Sequence, residues 1–341
     1  MQQVNEQPLL ECVPNFSEGR NPELIETIAA SIRQVEGINL LHVDSGFDAN
    51  RTVMTFVGTP DAVVEAAFQG IKTAAQVIDM RQHHGAHPRV GATDVCPLIP
   101  INGLKMAEVV KLARQLGQRV GAELNIPVYL YEYAATAPHR RNLAHIRQGE
   151  YEGLDTKIVQ PDWQPDYGPS AGPFLAGATV LGARKFLIAY NVNLNTKDPE
   201  IAQRIAEKVR ESGYVQRDEQ GLKQRFPGRC PGVKAIGWYM PAYDKAQVSM
   251  NITDLDQTPL HLAFEACREE AQRLGFEITG SELIGLAPLR VFLEAGQYFF
   301  PYETDQDRLI EATITHLGLR ELGGFERGQR ILEDQLKNRG N

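Results

Sequence analysis

The sequence predicts an α/β chain of the α+β kind, built from two units that each run β-α-β-β-α-β. Three observations predict it. At 341 residues the chain exceeds the usual size of a single domain. Its 43% hydrophobic and 23% charged residues match an ordinary globular protein with enough apolar side chains for two cores. Finally, short apolar runs alternate with stretches of helical period in the same order twice. The first unit is expected over residues 1–182 and the second over 183–335.

In the first half, residues 8–13 and 38–44 read as buried strands. Between them, residues 21–35 repeat Leu24, Ile25, Ile28 and Ile32 at helical spacing. NRTVMTFVG alternates apolar with small or polar side chains, as a strand does, and Thr59-Pro60-Asp61 opens a helix that runs to about Ile78, with proline in its first turn. A loop carrying HHGAHPRVGATD leads to the strand VCPLIPI, a helix near 105–124 and the strand PVYLY. The second half gives the strand GARKFLIAYNVNL, a helix over 198–212, the strand pair VKAIGWYM and AQVSMNITDL, a helix over 258–274 and the strand GSELIGLAP. TP…AF…AQ opens the second helix of each half, from Thr59 and from Thr258, which suggests an internal duplication. Residues 150–182 are dense in Gly, Pro and Asp and carry Trp163, Tyr167 and Phe174, the mark of a functional segment or a surface linker. Residues 303–337 read as one or two amphipathic helices interrupted at Gly318 and Gly323-Gly324.

Composition excludes several classes. A net charge of −8 argues against nonspecific nucleic-acid binding, which needs many cations facing phosphates. The start of the chain shows no basic region followed by an apolar one, and no run approaches bilayer length, so a cytoplasmic location and no membrane partner are expected. Cys12, Cys96, Cys230 and Cys267 have no CxxC spacing and read as packing residues. Two local basic groups suit a small polyanionic ligand: Arg81, His83, His84, His87 and Arg89, then Arg140, Arg141, His145 and Arg147.

The densest titratable set is His83, His84 and His87. Gly85 and Pro88 break any helix that would align a histidine pair on a metal, and no HExxH follows, so no metal is expected. Proton transfer asks less of spacing, because one imidazole with a pKa near neutral both accepts and donates. His87, aimed by the following Pro88, is the candidate; a solvated or packing histidine is the alternative. Arg51 and Arg89 offer forks that match carboxylates, or are surface charges. Asp44 and Asp94 can fix an imidazole, face a cationic amidine or cap a turn. No dinucleotide, P-loop or nucleophile-elbow motif is present, while GPSAGPFLAG offers exposed backbone N–H groups to a ligand.

Six segments, ECVPNFSEGR (11–20), NRTVMTFVG (50–58), HPRVGATDVCPLIP (87–100), PVYLYEYAA (127–135), DYGPSAGPFLAGATVLGARKFLIAYNVNL (166–194) and AIGWYM (235–240), resemble the formiminotransferase family in order. The resemblance implies two subdomains of ferredoxin-like topology with a ligand cleft between them, and a homodimer. It implies transfer of the formimino group from N-formimino-L-glutamate to N5 of tetrahydrofolate, giving 5-formimidoyltetrahydrofolate and L-glutamate, within histidine degradation and one-carbon metabolism. Tetrahydrofolate is thus the expected co-substrate. The family's general base falls on His87 and its folate loop on Gly168, Pro169, Ser170, Ala171, Gly172, Pro173, Phe174, Leu175, Ala176 and Gly177. Beside these, Arg51, Arg89, Arg184 and Lys185 are expected to supply positive potential for the glutamate carboxylates, with Asp44 or Asp94 facing the amidinium or orienting His87. His84 and Ala86 stand where other members carry a lysine and an acidic residue, and the Arg-rich stretch near 216–230 is also unlike them. The chain stops near 341, so a separate cyclodeaminase is expected. The alternatives are formyl transfer or 5-formyltetrahydrofolate cyclisation on the same scaffold, a non-catalytic folate-binding protein, and a metal-dependent hydrolase.

Overall fold

A computed structural model describes residues 8–47, 49–172, 174–217 and 221–339. The chain divides into two compact units, Met1–Lys185 and Phe186–Asn341. Among the described residues, no helix is long and apolar enough to cross a membrane.

The first unit opens with β1 (Leu9–Cys12) and β2 (Asn15–Phe16), followed by α1 (Pro22–Arg33). Asn21 caps this helix by accepting from the Glu23 and Leu24 amides, and Pro22 gives up only an amide that would have no helical partner. β3 (Asn39–Gly46) and β4 (Arg51–Gly58) form a hairpin, then α2 (Pro60–Val77), β5 (Thr93–Asn102), α3 (Met106–Leu124) and β6 (Val128–Glu132) follow. Two short helices, α4 (Leu143–Arg147) and α5 (Leu154–Ile158), precede β7 (Thr179–Ala183).

These strands form one sheet in the order β3-β4-β1/β2-β5-β7-β6, antiparallel as far as β5 and parallel between β5, β7 and β6. Period-two alternation decides which side chains meet which layer. Leu98, Leu130 and Leu181 pack with Ile28, Ile32, Phe68 and Ile71 of α1 and α2 and with Leu116 and Val120 of α3. Val95, Tyr129, Tyr131 and Val180 point the other way, onto Ile146 of α4 and Leu154 and Ile158 of α5. Each such aliphatic side chain contributes about 1.5–3 kcal/mol on burial, so the parallel end of the sheet is held from both sides.

The second unit runs β8 (Ile188–Leu194), α6 (Pro199–Val209), the hairpin β9 (Tyr214–Arg217) and β10 (Lys223–Phe226), β11 (Val233–Met240), β12 (Lys245–Ile252), α7 (Leu260–Arg273) and β13 (Ile278–Ile284). It ends with α8 (Leu289–Phe299), α9 (Gln306–His316), α10 (Arg327–Arg330) and α11 (Leu332–Arg339). Its main sheet is antiparallel in the order β11-β12-β8-β13, with Tyr190, Val192, Val248 and Met250 packed on Ile205, Phe264 and Phe292. The opposite face carries a polar relay in which Trp238 donates to Gln247, Gln247 to Asn193, and Asn193 to Glu321.

Two expectations change. The single strand expected over 182–194 is two strands, because Gly182 and Ala183 pair with β5 and β6 while Ile188 onward pairs with β12 and β13. The segment 150–182 also holds regular structure that its Gly, Pro and Asp content did not announce, namely α5 and the start of β7. All four cysteines are free and buried.

Candidate active site

Register places Asp44, Val53, Asn15, Val95 and Val180 in one row across the first unit's sheet. Directly paired residues point to the same side, so this row lies on the face opposite α1, α2 and α3. Arg51, two positions along β4 from Val53, shares that face, and its Nε and Nη2 donate to Asn15 Oδ1 at 3.0 and 2.7 Å. Its Nη1 donates to Asp94 Oδ2 at 2.7 Å.

Asp94 is fully buried and its oxygens are all engaged. Oδ2 also accepts from Arg147 Nη2, and Oδ1 accepts the Val90 amide at 3.0 Å. Burial alone would raise the carboxyl's pKa, but Arg51 and Arg147 together hold it below its ordinary value. Asp94 therefore sets two guanidiniums in place and has no free oxygen for an amidinium or an imidazole. Arg147 belongs to the second basic group, and Arg140 of that group is likewise committed, to Asp166 at 3.0 Å and to the Asp162 and Gln164 carbonyls.

The histidine loop is tied down by Asn50, which adopts a left-handed backbone at φ 47. Its side chain accepts the Gly19 amide at 2.9 Å and donates to the His84 carbonyl at 3.0 Å. Its own carbonyl accepts His83 Nε2 at 2.8 Å. His83 Nδ1 accepts from Arg89 Nε at 3.1 Å, so both ring nitrogens are occupied and burial lowers the pKa. Arg89 is buried and spends its remaining nitrogens on Glu150, Glu152 and the His83 carbonyl. With every nitrogen engaged, Arg89 fixes the loop.

His87 differs. Its Nδ1 lies 2.7 Å from the Pro88 carbonyl, an acceptor, so Nδ1 carries the hydrogen and Nε2 keeps its lone pair. Among the described residues Nε2 has no hydrogen-bond partner. Partial burial, then the Arg51 and Arg147 charges, lower the pKa below the usual histidine value, so the ring is neutral at pH 7. A cavity of ≈ 400 Å³ lies in the same loop region, lined by His84, Gly85, Arg89, Gly149, Glu150 and Glu152.

The Gly-rich loop is anchored at both ends. At its start, Asp166 accepts the Leu130 amide at 2.7 Å, and Gly168, at φ 82, lies so close to the Ile126 carbonyl that a Cβ would stand 2.2 Å from it. Ser170, Ala171 and Gly172 are exposed at the tip beyond half-buried Pro169, while Pro173 lies outside the described residues. Beyond it Phe174 packs on the core layer containing Tyr129 and Val180. Leu175 accepts the Met80 amide at 3.0 Å, Ala176 accepts the Ala92 amide at 2.8 Å, and Ala178 donates to Val90 at 2.9 Å. Gly91 and Gly177 bridge directly. The loop thus closes onto the chain three to five residues past His87. A Cβ on Gly91 would meet the Ala178 carbonyl at 2.1 Å. Gly91→Ala is expected to cost on the order of 3 kcal/mol by overpacking, read as a lower denaturant midpoint at unchanged slope.

Asp44 is exposed on β3 in the same row as Asn15. Arg184 hydrogen-bonds through its amide to the Leu98 carbonyl at 3.1 Å and through Nη1 to the carbonyl of Lys185 at 3.1 Å, placing both residues at the far end of the sheet from His87's arginine neighbours. Beside Arg184, Glu11 of β1 is 2% exposed, and burial pushes its pKa up to about 7 against the Arg184 charge. Sequence reasoning missed Asn15, Asn50 and Glu11, although all three lie in segments that carry the family resemblance.

Comparison with known proteins gives two adjoining matches. Residues 9–184 match the model "Formiminotransferase domain, N-terminal subdomain", and residues 189–337 match "Formiminotransferase domain". The chain is 48% identical to the formimidoyltransferase-cyclodeaminase of Rattus norvegicus, over 97% of the chain and 60% of that relative. It therefore spans about 60% of the length of such relatives. It is also 40% identical to the glutamate formimidoyltransferase of Thermoplasma acidophilum, over 98% of the chain and 99% of that protein. A glutamate formimidoyltransferase of Streptococcus pyogenes is 42% identical over 86% of the chain and 94% of its own length.

Proposed function

The chain belongs to the formiminotransferase family, and on that premise we propose that it transfers the formimino group of N-formimino-L-glutamate to N5 of tetrahydrofolate, releasing L-glutamate and 5-formimidoyltetrahydrofolate. The reaction serves histidine degradation and one-carbon metabolism, and the protein works as a homodimer. Each unit is ferredoxin-like; the strand orders β5-β1-β4-β3 and β13-β8-β12-β11 support this reading. The observation that carries the function is His87, whose tautomer is fixed by the Pro88 carbonyl and whose Nε2 lone pair is free beside a paired-arginine centre.

The chemistry needs such a group. N5 attacks the amidine carbon, its nitrogen becomes cationic, and the N–H proton becomes acidic. His87 Nε2 takes that proton. The resulting imidazolium then protonates the glutamate nitrogen of the tetrahedral adduct, so the C–N bond to glutamate breaks and the amine leaves. Partial burial, then the Arg51 and Arg147 charges, disfavour the imidazolium, which favours the second transfer. Asp44, in the row beside Asn15, faces the amidinium of the donor. The exposed tip Ser170–Gly172 covers the folate, and Arg51 holds Asn15 rather than a substrate.

Purified protein supplied with tetrahydrofolate and N-formimino-L-glutamate is expected to give 5-formimidoyltetrahydrofolate by mass spectrometry, with stoichiometric glutamate. N-formyl-L-glutamate in its place is expected to give a much slower rate. A faster reaction with the formyl donor would replace this reading by formyl transfer.

A further inference from the structure

We propose that Lys157 is a positioning residue of the candidate active site, its ammonium locking the end of α4 so that Arg147 and the Arg89-binding turn stay against the loop that carries His87. The inference rests on the formimino-transfer reading and names what holds that site's base in place.

Three observations in the first unit carry it. Lys157 Nζ, reaching across from α5, donates to the carbonyls of His145 at 2.9 Å, Ile146 at 2.7 Å and Gln148 at 3.0 Å. The same Nζ stands 3.9 Å over the ring of Trp163, whose carbonyl accepts the Tyr129 hydroxyl at 2.6 Å. Finally, the turn between α4 and α5 grips the histidine loop: the Tyr151 amide donates to the Arg89 carbonyl at 2.9 Å, and Glu150 and Glu152 accept from the Arg89 guanidinium.

A one-turn helix cannot hold itself together. α4 spans five residues, Leu143–Arg147, and the last carbonyls of a helix have no helical amide to accept from. The Glu150 amide reaches the Arg147 carbonyl at 2.8 Å, and the carbonyls on either side of it accept from Lys157. An ammonium suits this position, because its three N–H bonds match three converging oxygens and its charge meets the negative end of the turn. The indole face covers its other side as a cation–π partner, worth about 0.5–2 kcal/mol. Fixing so flexible a side chain costs about 1.5–2 kcal/mol in rotamer freedom, which a lysine without these acceptors would not give up.

Two paths lead from this clamp to His87. Arg147, the last residue of α4, donates to Asp94, whose other oxygen accepts the Val90 amide three residues past His87. Arg89, two residues past it, is held by the turn that Lys157 closes. Without the ammonium α4 loses its end, and Arg147 moves off Asp94. After burial, the charges that reach the His87 ring are those of Arg51 on β4, Arg147 on α4 and Asp94 on β5. Of these three, Arg147 alone sits on the element that Lys157 holds. Loosening α4 therefore takes a cation away from the ring and raises its pKa.

The experiment compares wild type with Lys157→Met, Trp163→Leu, Arg147→Gln and the Lys157→Met/Arg147→Gln double variant. The readouts are the His87 pKa by NMR titration, its signal assigned by loss in His87→Ala, then kcat and the KM for tetrahydrofolate against pH, and Tm. Lys157→Met is expected to raise the His87 pKa as far as Arg147→Gln does, and the double variant no further, since both act through one guanidinium. Its kcat should fall by about 10- to 100-fold, the effect of a misplaced base, with the folate KM within about twofold. Trp163→Leu should shift the pKa in the same direction by less, and it carries the test if Lys157→Met does not fold. A His87 pKa that stays at the wild-type value in folded Lys157→Met, or in Trp163→Leu where Lys157→Met does not fold, marks the lysine as a structural clamp and overturns the proposal. So do shifts in Lys157→Met and Arg147→Gln that add in full. A wild type without turnover sinks the formimino-transfer reading, while the imidazole titration still decides this one.

Discussion

His87→Ala is expected to lower kcat by about 10²- to 10⁴-fold, the usual contribution of general acid–base assistance, while 5-formyltetrahydrofolate still binds. The Pro88 carbonyl holds Nδ1–H, leaving Nε2 as the sole open lone pair of the ring. Burial first, then Arg51 and Arg147, shift its pKa down from the ordinary histidine value of 6.5. A base works unprotonated, so kcat/KM of the wild type should rise with pH through a pKa below 6.5 and be level across neutral pH. In His87→Ala that acid limb should vanish along with the lost turnover. A variant that kept both its rate and its limb would move the base elsewhere, and His83 is a poor alternative because Arg89 and the Asn50 carbonyl already occupy its two nitrogens.

What the sequence revealed about this centre depended on how far apart the partners are. Elements with clear period were legible: the apolar spacing of α1, proline at the start of α2 and the alternation of β4 each depend on neighbours in sequence. β7 was not, because a short parallel strand buried on both faces shows no alternation, and its Thr-Val-Leu-Gly-Ala merges with the apolar run that begins β8. α8 was also hidden, since its opening falls directly after the Leu286-Ala287-Pro288 run read as the end of a strand. In the site, His87 stood out by residue type and by the Pro after it. The partners of Arg89 gave no signal either, because the carboxylates it meets, Glu150 and Glu152, lie some sixty residues on. Asn15 and Asn50 gave no signal, as an asparagine that ties distant backbone segments looks in sequence like one in any turn.

Asp94→Asn is expected to be the most destabilising single change in the first unit, at roughly 3–5 kcal/mol, because it leaves two guanidiniums without their shared anion. Arg51 and Asp94 are almost completely inaccessible and Arg147 nearly so, so solvent offers little compensation. The pH dependence follows from the direction of the shift. Asp94 titrates lower in the folded chain than its ordinary 3.8, so the unfolded chain binds the proton more readily. Its contribution is therefore fully present above about pH 4–5 and lost as acid takes the medium through 3.8 toward the lower folded value. The variant should lose its deficit relative to wild type as the pH falls below 3.8, so the two urea midpoints should draw together in acid and separate at pH 7. A second effect reaches the chemistry. Asp94 partly offsets the two arginine charges felt by His87, so its removal should depress the imidazole further and move the acid limb of kcat/KM to lower pH. If Asp94→Asn folds too poorly to assay, Arg147→Gln tests the same coupling in reverse: one cation fewer should move the limb up toward 6.5. A limb that stays in place in both variants would show that the paired-arginine centre is scaffolding alone and does not tune the base.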